Sequence, residues 1–107
     1  VKKLTVQDAV AVMNEVGTLT VDIRSEEKFK QGTIRGAKHY PVKGELPQDL
    51  LKQLKKRSTK RVIVVCQKGI SAVKAADLIK KSGMEEVAVL EGGIDQWHKD
   101  AMPLVQA

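Results

Sequence analysis

The segment 61–65, which is apolar from Val62 onward, is the feature that most constrains the fold of this chain. Four β-branched residues follow one another there without a polar interruption, which is typical of a strand that is covered on both faces in a parallel sheet. Cys66 comes next, and apolar residues with helical spacing follow from position 72 onward. We therefore predict a central strand, a short loop that begins with the cysteine, and a helix that ends near Gly83.

The rest of the chain alternates strands and helices in the same manner. Further strands are predicted at 19–23, 37–40 and 87–90, and helices at 6–15, 26–31, 47–56 and 94–99. Such alternation indicates an α/β fold, with a mostly parallel sheet at the centre and helices on its faces. Sites in these folds lie at the carboxyl ends of the strands, where Cys66 is placed.

The length of 107 residues favours a single domain over 1–107, since two independent cores would not fit. The net charge of +6 is local: six of the 19 Lys and Arg residues fall within 52–61, and the remainder holds 13 basic and 13 acidic residues. None of the three aromatic residues lies in that segment, so we predict no nucleic-acid partner. A solvated helix end is the preferred interpretation of the basic segment, and a partner-docking face is the second.

Other features limit the class of protein. The longest apolar run has five residues, far below the ~20 of a membrane-spanning helix, so no membrane span is predicted. Cys66 is the only cysteine, so an internal disulfide is excluded, and a reducing, cytoplasmic compartment is the simplest interpretation. One Cys and two His give no structural-zinc spacing; we predict no metal and no cofactor. We also expect a monomer.

The segment that starts at Cys66 is the candidate reactive site. A loop with Gly69, placed before a helix, can turn successive backbone N–H groups inward to form an anion-binding nest, and the helix N-terminus adds partial positive charge. Both effects favour the thiolate, as does nearby Lys68. Alternatively, Cys66 continues the strand as a small core residue, as many free cysteines do. The sequence of the loop, with Ser71 as a helix cap, favours the reactive interpretation.

Three catalytic classes use a cysteine in a loop. Cysteine phosphatases place an Arg six residues after the Cys, but Ala72 occupies that position. A Cys–His hydrolase needs an imidazole base within hydrogen-bond reach, whereas His39 and His98 lie on separate segments and are expected at the surface. Sulfur transfer needs only a preformed thiolate and aligned amides, so it fits the sequence best.

Four segments together resemble the rhodanese (thiosulfate sulfurtransferase) family. They are Asp22-Ile23-Arg24, the stretch 32–37 followed by Pro41, the six-residue loop 66–71, and the stretch 90–93 followed by Trp97 and Pro103. The resemblance implies a rhodanese-like three-layer α/β fold with a five-stranded central sheet. It also implies sulfur transfer, because rhodanese-like phosphatases have a longer loop.

The resemblance also implies roles for individual residues. Cys66 would be the nucleophile that forms a persulfide, and backbone amides of the next five residues would cradle the outer sulfur: Gln67, Lys68, Gly69, Ile70 and Ser71. Lys68 and Arg35 match basic positions that some members direct at the sulfur donor. The alternatives are a solvated loop tip for Lys68 and a surface ion pair for Arg35.

The remaining motif residues are expected to act as scaffold. Asp22 and Arg24 are predicted to satisfy their charges near the loop, and Trp97 to close the core. Many relatives that use thiosulfate have Arg at the position of Gln67, so this chain departs from the common loop there.

The sequence thus predicts a sulfurtransferase with a small anionic sulfur donor, such as thiosulfate, and a thiophilic acceptor: cyanide, a thiol or a carrier protein. A second hypothesis is a rhodanese-fold interaction module in which Cys66 is idle or senses redox state. A third, a phosphatase or arsenate reductase, is retained because the fold is shared.

Overall fold

The computed structural model of the chain, which describes residues 1–106, contains a five-stranded sheet. Ala107, the last residue of the domain predicted over 1–107, lies outside the described residues. The strands are β1 (Lys2–Leu4), β2 (Thr18–Asp22), β3 (Lys38–His39), β4 (Arg61–Val65) and β5 (Val87–Leu90). The helices are α1 (Val6–Met13), α2 (Glu26–Gln31), α3 (Gln48–Leu54), α4 (Ser71–Lys81) and α5 (Gly93–Lys99).

The sheet is parallel throughout, with the strand order β1-β5-β4-β2-β3. This confirms the predicted α/β class and places β4 in the middle of the sheet. Pattern analysis located four of the five strands. It missed β1, since only one of its three residues is buried and so short a strand carries no alternation; pairing with β5 defines it.

Helices cover both faces of the sheet, which gives the predicted three layers. One core cluster joins β4 to α3 and α4 and contains Val62, Val64 and Cys66. The other joins β4 to α1 and α5 and contains Ile63 and Val65. Successive side chains of a strand point to opposite faces, so the apolar run 62–65 contributes to both clusters, and Cys66 points toward the face that carries α4.

Two of the five helix starts, those of α1 and α2, are confirmed by the predicted capping bonds. Thr5 Oγ1 accepts from the amide of Asp8 at 3.2 Å, and Ser25 Oγ accepts from the amide of Lys28 at 3.4 Å. The first helix ends at Met13, two residues earlier than predicted. The predicted and observed ends of this helix differ because its last turn is determined by competing local hydrogen bonds and not by apolar spacing.

The basic segment 52–61 lies at the amino edge of the sheet, where β4 begins, whereas Cys66 follows the carboxyl end of the same strand. Arg61 forms ion pairs with Glu15 and Glu86 at 3.5 and 3.2 Å. The other five basic side chains of this segment are exposed, as expected for a solvated helix end. Among the described residues, no helix is long and apolar enough to cross a membrane.

Candidate active site

Cys66 directly follows the central strand, and its sulfur is held by backbone amides. The amides of Gly69 and Ala72 donate to Sγ at 3.0 and 3.3 Å. The residue is only 4% exposed, and its side chain also belongs to an apolar core cluster. The sulfur is therefore buried, yet two donors face it, an arrangement that stabilises negative charge on sulfur.

Helix α4 begins against this sulfur, which changes the predicted role of Ser71. The N-cap is Ile70, with no side-chain cap bond, and Ser71 is the first helical residue. The capping role predicted for Ser71 is therefore wrong. The amide of Ala72, in the first turn, needs an acceptor, and Cys66 Sγ supplies it. The cysteine sulfur thus accepts a hydrogen bond from the first turn of α4, as the hydroxyl of a capping Ser or Thr does in other helices.

The start of helix α5 holds the cysteine loop from the other side. The amide of Ile94 donates to the carbonyl of Cys66 at 2.9 Å, and the amide of Asp95 donates to the carbonyl of Gln67 at 3.0 Å. Gly93, with φ +61°, brings the two backbones together, and a Cβ there would overlap the carbonyls of Cys66 and Gln67. The sequence predicted a tight turn here but not this contact.

We expect Gly93→Ala to be more destabilising than Gly36→Ala. Both glycines have positive φ, but a Cβ at Gly36 meets nothing within 4 Å. Gly36→Ala should therefore lower the free energy of unfolding by about 1–2 kcal/mol from backbone strain alone. Gly93→Ala should lose about 1–3 kcal/mol more from overlap, as measured by urea denaturation. Equal losses for the two variants would contradict the close approach.

The side chain of Gln67 is held within the protein. Its Oε1 accepts from Arg24 Nη1 at 3.0 Å, and its Nε2 donates to Asp95 Oδ1. Asp95 therefore binds both the main chain and the side chain of Gln67. Sequence analysis missed Asp95 because nothing in its spacing marks it; the contact appears only when α5 packs on the loop.

Arg24 connects this loop to a buried carboxylate, as predicted for the scaffold. Asp22 is fully buried, and Arg24 Nη2 lies 2.8 Å from its Oδ2. Thr33 Oγ1 donates to the same oxygen at 2.8 Å, and Arg24 Nη2 also donates to the carbonyl of Gly32 at 2.6 Å. The paired charges thus join β2, the segment after α2, and the cysteine loop.

The other predicted donor-binding residues lie at the surface. Lys68, Ile70, Ser71 and Arg35 are exposed. Among the described residues, Arg35 and Lys68 form no ion pair with an acidic side chain, so the surface pairing considered for Arg35 is not observed. Contact of these residues with a sulfur donor stays a prediction.

The two histidines differ in environment. His98 is exposed, as predicted. The same prediction for His39 is wrong: its ring stacks on Phe29 with centroids 4.2 Å apart, and its Nε2 donates to the carbonyl of Arg24 at 2.7 Å. Phe29 and that carbonyl together form a partly buried slot for the ring. Within residues 1–106, neither imidazole hydrogen-bonds to Cys66.

The fold and site together define a class: parallel α/β proteins that hold a single cysteine sulfur against backbone amides at the carboxyl edge of the sheet. Comparison with known proteins identifies the family. The family model described as "Rhodanese-like domain" matches residues 5–100. The chain belongs to the rhodanese-like domain family.

Two curated relatives show the range of proteins that share this domain. The uncharacterized protein YibN of Escherichia coli (strain K12) is 30% identical over 106 residues, which are 99% of this chain and 73% of YibN. The tRNA uridine(34) hydroxylase of Bacillus licheniformis is 32% identical over 101 residues, which are 92% of this chain but 31% of that enzyme. This chain therefore spans less than a third of the hydroxylase.

Solved structures confirm the fold. A rhodanese-related protein from Thermoplasma volcanium superposes with a TM-score of 0.74 at 20% identity and covers 98% of each chain. A thiosulfate sulfurtransferase from Pseudomonas aeruginosa superposes with a TM-score of 0.82 at 18% identity, over 99% of this chain and 19% of that one. At these identities the likeness concerns the fold alone.

Proposed function

We propose that this protein is a sulfurtransferase that carries sulfane sulfur on Cys66. The Cys66 thiolate attacks the outer sulfur of thiosulfate or a related persulfide donor. With thiosulfate, a new S–S bond forms on Cys66, the bond between the two donor sulfurs breaks, and sulfite leaves with its electron pair. Charge is conserved, and the step needs no metal, external base or oxidant.

The observation that carries this proposal is the pair of amides directed at Cys66 Sγ. Gly69 N and Ala72 N lie 3.0 and 3.3 Å from the sulfur, so negative charge on it is stabilised before any substrate arrives. The outer sulfur of a persulfide would extend about 2 Å beyond Sγ. Main-chain amides elsewhere in the six-residue loop would then be its donors.

The exposed cations suit the recognition of an anionic donor. We assign Lys68 and Arg35 to attract the sulfonate end of thiosulfate, since both are exposed. Gln67 has its side chain bound to Arg24 and Asp95, so it would contribute its main-chain amide. The lone cysteine also suits work in a reducing compartment, and we propose the cytoplasm.

We expect a burst of sulfite when the protein meets thiosulfate without an acceptor. The burst should equal the amount of protein, because loading stops when each Cys66 holds one extra sulfur. Addition of cyanide should remove that sulfur as thiocyanate and restart sulfite release. A sulfite assay in rapid-mixing mode measures both phases; steady release without cyanide, or none with any donor, would contradict the scheme.

The competing function is a binding or redox-sensing module. The small exposed fraction of Cys66 favours it, because a buried thiol is poorly accessible to substrates. The rate of alkylation by iodoacetamide at neutral pH separates the two functions. Alkylation faster than that of free cysteine supports the enzyme, whereas slow alkylation together with no sulfite burst supports the module.

A further inference from the structure

Two apolar side chains are exposed where the cysteine loop ends and α4 begins. Ile70 is 75% exposed and Val73 is 37% exposed. They directly follow Gly69 and Ala72, the two residues whose amides contact Cys66 Sγ. The amide of Val73 donates to the carbonyl of Ile70 at 3.2 Å, so one turn carries both. Apolar surface of both side chains therefore faces solvent close to the reactive sulfur.

Positive charge accompanies these apolar side chains. Lys68 precedes Ile70 in the loop, and Lys74 lies four residues after Ile70, on the same face of the first turn of α4. Both lysines are exposed, and within the described part of the chain neither forms an ion pair, while the nearby acid Asp77 is paired with Lys81 at 3.2 Å. We call Lys68, Ile70, Val73 and Lys74 the loop-side surface.

We propose that the loop-side surface docks the sulfur acceptor, and that this acceptor is a protein thiol on a segment with apolar and acidic side chains. The inference rests on the proposed function and specifies the acceptor class. A small acceptor such as cyanide gains nothing from an exposed isoleucine, whereas a protein segment would cover it. Lys68 and Lys74 favour a segment with acidic side chains near its thiol, because positive charges on that segment would be repelled by the two lysines.

The transfer step is balanced without a further reagent. The acceptor thiolate attacks the outer sulfur of the Cys66 persulfide, and a new S–S bond forms on the acceptor. The S–S bond at Cys66 breaks, its electron pair returns to Sγ, and the acceptor leaves as a persulfide anion. The amides of Gly69 and Ala72 are already placed to receive the regenerated thiolate.

Peptide thiols of matched length test this surface. Protein loaded with sulfur from thiosulfate is mixed with acetyl-Glu-Leu-Cys-Leu-Glu-amide, with its Lys-for-Glu counterpart, or with its Ser-for-Leu counterpart. Each rate of discharge is divided by that peptide's rate with a small disulfide, since neighbouring charge alters thiol ionisation. The acidic apolar peptide should be faster than either counterpart, by about five- to tenfold over the basic one at low salt.

Two variants with matched controls locate the effect. Lys74→Glu should reverse the preference between acidic and basic peptides, whereas Lys80→Glu makes the same charge change in the last turn of α4 and should leave it intact. Val73→Ser should remove the advantage of Leu over Ser in the peptide. Val16→Ser, at a 97% exposed position before β2 at the amino edge, should not.

The outcomes separate this inference from the function on which it rests. Equal discharge by the three peptides, or equal shifts in Lys74→Glu and Lys80→Glu, would overturn the docking surface and leave the sulfurtransferase standing. Failure of Cys66 to load from thiosulfate or from polysulfide would overturn both. Normal loading with the predicted peptide order, altered only by the two variants beside the loop, supports both.

Discussion

Replacing Cys66 by Ser is expected to abolish the sulfite burst and thiocyanate formation, with a loss of at least about a thousandfold in rate. A serine hydroxyl is not ionised near neutral pH and cannot hold a sulfane sulfur as a persulfide. The hydroxyl can still accept from the amides of Gly69 and Ala72, which now contact Sγ. The variant should therefore stay folded, as circular dichroism and urea denaturation will show.

Cys66→Ala is the matched control for the structural role of the sulfur. It removes the nucleophile and also the acceptor of the first-turn amide of α4. We expect it to be less stable than Cys66→Ser by about 1–3 kcal/mol, the usual effect of an unsatisfied buried donor. Sulfite release by Cys66→Ser above a tenth of the wild-type rate would show that another group accepts the sulfur.

Arg24→Met is expected to cause a large loss of stability. Asp22 is fully buried, and Arg24 is its charge partner at 2.8 Å. Removing one partner of a buried pair leaves an uncompensated charge, which typically lowers the free energy of unfolding by about 3–5 kcal/mol. The variant should also load sulfur slowly, since Gln67 loses its contact with Arg24.

Arg61→Met tests whether burial of the paired charges causes the loss of stability expected for Arg24→Met. Arg61 also forms ion pairs with two acids, but Glu15 and Glu86 have 56% and 68% of their side chains exposed. Solvent screens these pairs, so the expected loss is below about 1 kcal/mol. Urea denaturation of both variants gives the comparison. If Arg24→Met is no less stable than Arg61→Met, the buried ion pair contributes no more to the free energy of unfolding than the exposed pairs do.

The general plan of the fold was predictable because it depends on local pattern. The four consecutive β-branched residues at 62–65 strongly favour a buried strand. Glycines and capping residues mark most helix limits. The strand β1 has only three residues, so no pattern marks it. Its pairing with β5 is a long-range contact that only the folded chain reveals.

The site was predictable only in part, for the same physical reason. The position of Cys66 after the central strand follows from local sequence, and so does the proximity of a helix start. The contacts that fix the loop come from distant segments: Arg24 bonds to Gln67 from 43 residues away, and Asp95 from 28. The error at Ser71 has a related cause. The sulfur of Cys66 accepts the hydrogen bond from the first turn of α4, whereas the sequence pattern predicted that the Ser71 hydroxyl would cap the helix.

The mass of the protein after brief incubation with thiosulfate shows whether Cys66 carries sulfane sulfur. We expect a gain of one sulfur atom, located on the peptide that contains Cys66, and loss of that gain on addition of cyanide. An unchanged mass after incubation with thiosulfate, and again after incubation with polysulfide, would contradict this expectation.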